Sequence, residues 1–138
     1  MTDFFTHPLL LLLVGGGLGT WARYGVSLWF KSFEWAKTFP WGTFTINVTG
    51  SFVLAVSFVL IDLNKHPQRG RWFLLLGTGF CGGYTTFSTF SLETYELAVV
   101  RKQPWLALAY ALGSVVAGFL GVALGWMLAE AIAPGARD

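Results

Sequence analysis

The sequence predicts an all-α membrane protein with four transmembrane helices, the third broken mid-membrane, assembled as an antiparallel dual-topology homodimer. Three observations carry the four-helix fold and its break; the pairing rests on an even spread of Lys and Arg. First, the 138 residues are 54% hydrophobic and only 12% charged, against about 25% charged in an ordinary soluble domain. Such a chain lacks the polar groups to cover a soluble surface. Second, its apolar residues fall into four stretches, about residues 9–30, 41–61, 72–100 and 105–132, each long enough for the roughly 20 helical residues that a bilayer core demands. Third, the third stretch is interrupted by GTGFCGGYTTFSTF, Gly77 to Phe90.

The length accommodates these four spans as one membrane domain and leaves no room for a soluble one. A formal charge of +2, scattered along the chain, excludes a nucleic-acid reading. Cys81 is the single cysteine, so neither an intrachain disulfide nor a cysteine-cluster metal site is expected. It reads as a small packing residue. His7 and His66 stand beside prolines outside the apolar runs and read as solvated. No nucleophile–base pair is evident, and the chain does not read as an enzyme.

The first span, about Leu9 to Phe30, follows MTDFFTH, which carries no Lys or Arg. A cleaved signal would have a basic leader. Gly15, Gly16, Gly17 and Gly19 allow another backbone to approach closely. Arg23 has two readings: it snorkels to the interface, or it draws anions into a vestibule. A charge at a helix centre costs roughly 2.5 to 3.5 kcal/mol on insertion scales.

A loop, Lys31 to Phe39, leads to Pro40 at the start of the second span, where proline is tolerated. Thr43, Asn47 and Ser51 recur every four residues and share one helix face. The Asn47 amide offers two N–H donors and one acceptor. Its two readings are an interhelical hydrogen bond and a donor along an anion path. A short polar hairpin, Asp62 to Arg71, follows.

The third span holds Gly77, Gly79, Gly82 and Gly83, then Thr85-Thr86-Phe87 and Ser88-Thr89-Phe90. Glycine and β-branched threonine weaken a helix. At membrane depth, broken backbone has to be buried in protein or line a wet cavity. Freed carbonyls then suit a cation and half-helix N-termini suit an anion. Beyond the break, Phe87 and Phe90 are i, i+3, with the hydroxyls of Thr86, Ser88 and Thr89 around them. Aromatic rings in membrane helices commonly face lipid or pack. A ring turned edge-on can also stabilise a small anion, because its rim is positive. Glu93 reads either as a hydrogen-bonded carboxylate near the end of a path or as a proton-coupled site.

After the short basic loop Arg101 to Pro104, the fourth span carries Ala109, Gly113, Ala117, Gly121 and Gly125 every four residues. Small residues so spaced predict a flat groove for another helix. Tyr110 and Ser114 lie one position over, either for interhelical hydrogen bonds or as a polar stripe. The tail, Pro134 to Asp138, is polar and reads as loose.

Insertion normally follows Lys/Arg bias in short loops. One side would hold Lys65, Arg69, Arg71 and Arg137. The other would hold Lys31, Lys37, Arg101 and Lys102. Four stand against four, or five if Arg23 is counted with the second set. Either helix packing sets topology, or copies insert both ways and pair antiparallel, with the two breaks meeting on a twofold axis.

Three motifs, GGGLGTWARY (Gly15–Tyr24), WGTFTINVTGSF (Trp41–Phe52) and GFCGGYTTFSTFS (Gly79–Ser91), resemble in order and content those of the CrcB/Fluc family of fluoride channels. The resemblance implies passive, fluoride-selective export of cytoplasmic F⁻ across the bacterial cytoplasmic (inner) membrane by a multi-pass, dual-topology homodimer. It implies that Phe87 and Phe90 are pore phenylalanines, with Thr86, Ser88 and Thr89 beside them, and that Asn47 donates along the path. It further implies that Arg23 stands near the pore mouth and Glu93 near the exit, and that Tyr110 and Ser114 form a polar track. Backbone carbonyls of Gly82 and Thr85 are implied to hold a structural Na⁺. Tyr84 receives no role. The partners so implied are the fluoride ion, a second copy and membrane lipid. Two other functions compete: a proton-coupled dual-topology exporter of small cations, with Glu93 as its carboxylate, and a non-transporting assembly subunit.

Overall fold

The computed structural model describes residues 7–63 and 67–133. His66 and the tail 134–138 lie outside the described residues, as do Lys65 and Arg137 of the charge count.

Helix α1 (Pro8–Lys31) starts where its sequence permits a start. Pro8 occupies the first turn, and the His7 imidazole accepts the Leu9 N–H at 3.3 Å, satisfying one of the free donors of a helix N-terminus. It ends at Ser32, whose hydroxyl donates to the Trp29 carbonyl. A 3-10 turn, Glu34–Lys37, then leads to α2 (Trp41–Leu63). Pro40 lies just outside α2, and its carbonyl accepts the Phe44 N–H at 3.0 Å.

The third stretch is built in pieces. Arg69–Phe73 is α-helical, Leu74–Cys81 is π-helical and Gly82–Tyr84 is α-helical; together they form α3. Thr85 and Thr86 are extended (ψ 161° and 118°). Helix α4 then runs from Phe87 to Tyr95 and continues as a π-helical turn, Glu96–Val100. Helix α5 (Pro104–Ile132) begins with proline in its first turn. Among the described residues, three helices are long and apolar enough to cross a membrane: α1, α2 as far as Ile61, and α5. The π-helical turns were not anticipated; such wide turns mark places where extra backbone is accommodated within a helix.

Two helix pairs make the scaffold. Helix α3 lies along α1, and α5 lies along α2. In the first pair the contact is backbone to backbone: a Cβ added at Gly15 would fall 2.2 Å from the Leu75 carbonyl oxygen, and one at Gly19 2.1 Å from that of Phe80. Gly17 has open space, so not all four glycines of the predicted contact serve it.

The predicted four-residue groove of the fourth span needs correction. A Cβ at Gly121 or Gly125 would meet the Val48 or Phe52 carbonyl oxygen at 2.8 or 2.5 Å, so these two do seat α5 on α2. Ala109 is exposed and Gly113 has nothing within 4 Å. The reason is geometric. A four-residue step overshoots a 3.6-residue turn by about 40°. From Ala109 to Gly125 the stripe therefore rotates by about 160° and leaves the contact.

Candidate functional site

The site forms where α4 leans on α5 and on the first half of α2. Its centre is the extended pair Thr85–Thr86. Leaving the helical path frees backbone groups that must find partners. The Thr85 N–H and hydroxyl both donate to the Cys81 carbonyl, at 2.9 and 2.8 Å. Thr86 is served from another helix: its N–H donates to Asn47 Oδ1 at 2.9 Å, and its carbonyl accepts from Asn47 Nδ2 at 3.1 Å. One amide side chain thus substitutes for both neighbours that a continuous helix would have supplied. Thr86 is buried, so without this pairing two desolvated polar groups would each cost about 1–3 kcal/mol.

Thr86 also caps α4. Its hydroxyl oxygen accepts the Thr89 N–H at 3.2 Å and lies 3.1 Å from Thr89 Oγ1 and 3.3 Å from Ser88 Oγ. Threonine at an N-cap does this with its one oxygen. The residue that departs from the helix therefore restarts it.

About two turns further, Glu93 is fixed from two helices. The Thr43 hydroxyl of α2 donates to Oε1 at 2.9 Å, and the Tyr110 hydroxyl of α5 donates to Oε2 at 2.7 Å. Tyr110 is fully buried and lies against Phe90 and Phe39, with ring centroids 5.2 and 5.3 Å away. Glu93 and Thr43 border a cavity of about 640 Å³ whose rim carries Lys31, Lys37 and Arg101.

The face shared by Thr43, Asn47 and Ser51 divides. The first two bond across to α4 and Thr86, while the Ser51 hydroxyl donates to the Asn47 carbonyl of its own helix at 2.7 Å. Phe87 and Phe90 have ring centroids 5.9 Å apart, yet Phe87 is 79% exposed and Phe90 half-buried. Ser88 and Thr89 are exposed. Ser114 is buried, and its hydroxyl has no hydrogen-bond partner among the described residues. Arg23 is half-buried on α1 and is in no ion pair among the described residues.

Sequence reasoning missed three contacts. It found Thr43 on the Asn47 face without its carboxylate partner, though the shared face was the signal. It gave Tyr84 no role, and the Tyr84 hydroxyl lies 3.0 Å from Thr49 Oγ1. It left Phe39 in a loop, where the sequence carries no sign that its ring would reach Tyr110.

The family described as CrcB-like protein, Camphor Resistance (CrcB), matches residues 10–126 of this chain. The chain belongs to the CrcB family. Among its relatives, "Fluoride-specific ion channel FluC 1" of Listeria innocua serovar 6a is 43% identical over 120 residues, covering 84% of this chain and 95% of its own. "Fluoride-specific ion channel FluC" of Hydrogenobaculum sp. is 46% identical over 121 residues, covering 86% and 94%. That of Nitrobacter winogradskyi is 47% identical over 109 residues, covering 78% and 83%. The CrcB match takes in every candidate residue from Arg23 to Ser114, so the Asn47–Thr86 clamp and the Glu93 pocket both lie within the part of this protein that makes it a family member.

Proposed function

We propose that this CrcB protein is a fluoride-selective channel that lets cytoplasmic F⁻ leave a bacterial cell passively through its cytoplasmic membrane. The observation that carries the reading is the name shared by its relatives, fluoride-specific ion channel, at 41–47% identity over most of the chain. The geometry supports it. A small anion losing water needs donors and positive ring edges along its way. The Asn47 amide, the hydroxyls of Thr86, Ser88 and Thr89, and the rings of Phe87 and Phe90 supply both kinds within one stretch. Tyr110 and Ser114 extend the polar wall along α5, with Glu93 near the exit and Arg23 near a pore mouth.

In this reading the extended pair Thr85–Thr86 lies mid-membrane, and two copies pair antiparallel around it. The exposure of Phe87, a bulky ring in the motif that carries the family resemblance, supports a second chain beside it. The even distribution of Lys and Arg supports insertion in both directions. A structural Na⁺ at the Gly82 and Thr85 carbonyls fits what is present. Among the described residues neither carbonyl accepts a backbone N–H across a turn or from another element, and carbonyl oxygen suits a hard cation. Such an ion would supply fixed positive charge close to the path.

The carboxylate of Glu93, held among hydroxyls inside the helix bundle, favours a second reading as a proton-coupled exporter of small cations. Efflux from liposomes separates the two. The channel reading expects fluoride to leave faster than from empty vesicles, without a pH gradient. Transport that follows a pH gradient, and that Glu93→Gln abolishes, would establish the exporter instead.

A further inference from the structure

The Glu93 pocket is closed on its loop side by two residues that neither sequence motif nor proposed path includes. Arg101 follows α4 directly. Its backbone N–H donates to the Glu96 carbonyl at 2.8 Å, and its guanidinium donates to the Lys37 carbonyl at 3.2 Å. It thereby ties the end of α4 to the 3-10 turn between α1 and α2. Two residues after Lys37, Phe39 sets its ring at 86° to the ring of Tyr110, 5.3 Å away, in an edge-to-face pair of favourable geometry. Phe39 packs on the buried cluster Leu97, Ala107 and Tyr110. Phe90 contacts the same tyrosine, so the ring that donates to Glu93 has an aromatic neighbour from each of two segments.

We propose that Arg101 and Phe39 are positioning residues for Glu93: Arg101 pins the turn, the turn seats Phe39, and Phe39 fixes the tyrosine that orients the carboxylate. The inference rests on the channel reading above. It differs from an electrostatic role for Arg101 at the rim, in which the charge would simply gather anions and the bond to Lys37 would be incidental. Arg101 is exposed, so a charge acting from there is screened over about 10 Å at 0.1 M salt. A geometric strut is not.

The test is a double-mutant cycle on fluoride efflux from liposomes, using the full chain. Arg101→Gln should slow efflux by about threefold, and in a Tyr110→Phe background it should add almost nothing, because coupled residues are not additive. Arg101→Lys keeps the charge and one donor for the single bond to the Lys37 carbonyl, and should recover part of the efflux, equally at low and high salt. Phe39→Leu should reproduce the Arg101→Gln result and serves if that variant does not fold. A deficit that vanishes at high salt, or effects of Arg101→Gln and Tyr110→Phe that multiply, would overturn the proposal. Wild-type efflux is the control that separates this failure from failure of the channel reading.

Discussion

Helices α3 and α4 come from one apolar stretch of sequence but are held in opposite ways. Helix α3 is held by shape: its backbone presses against α1 at distances that only hydrogen-bearing glycines allow. Helix α4 is held by hydrogen bonds: the Asn47 amide at its start, its own Thr86 cap, and Thr43 and Tyr110 on Glu93. Close backbone packing fixes a position by main-chain contact along a whole face. Polar pinning fixes α4 at a few points and leaves Phe87, Ser88 and Thr89 exposed. The first half is an anchor; in the proposed channel the second is the working surface.

That contrast can be broken at its anchor first. Gly19→Leu places a side chain where even a Cβ would sit 2.1 Å from the Phe80 carbonyl oxygen. Overpacking of this kind costs about 3 kcal/mol or more, so the variant should fail to purify as a folded species. Gly17→Ala, in open space, should unfold within a degree or two of wild type in detergent. If both behaved alike, α1 and α3 would not be packed as described.

The polar half is tested by Asn47→Leu. Leaving the Thr86 N–H and carbonyl unpaired should cost about 2–6 kcal/mol in total, seen as a lowered thermal midpoint, with fluoride efflux lost. A stable variant with normal efflux would mean that the clamp holds nothing that matters.

The working surface gives a smaller change in stability and a large one in flux. Phe87→Ile and Phe90→Ile should cut fluoride efflux by about tenfold, the effect of about 1.4 kcal/mol on a barrier, while the protein elutes as wild type does. The exposed Phe87 should show the smaller loss of stability of the two. Undiminished flux in both variants would remove the rings from the path.

The smallest effect is expected at Tyr110→Phe. Removing its hydroxyl takes one donor from Glu93 and leaves Thr43 in place, so efflux should fall by severalfold with stability changed by about 1 kcal/mol. Efflux unchanged by this substitution would show that the Glu93 orientation does not limit passage.

How much of this could be read from the residues differs between the same two halves. The helical class, the long apolar helices and the CrcB family were legible, because composition and three local motifs carry them. Residues 77–90 stood out through their glycines and threonines, and the extended pair Thr85–Thr86 falls inside that stretch. The partner of Asn47 was not legible. An amide in an apolar helix announces that it needs a partner, and its spacing from Thr43 names the face, but only tertiary packing shows that the partner is the backbone of Thr86. The α5 stripe misled for a related reason: a four-residue repeat looks like one face on the page, and on a 3.6-residue helix it drifts from the exposed Ala109 to the buried Gly125. Phe39 and Arg101 carry no local signal, since their partners lie 71 and 64 residues away in sequence.

The most direct test of the central claim is the current through the wild-type protein in a planar bilayer, with fluoride on one side and chloride on the other. The account predicts a current whose reversal potential follows the fluoride gradient and does not move when a proton gradient is added. A reversal potential set by chloride or by protons, or no current from folded protein, would contradict it.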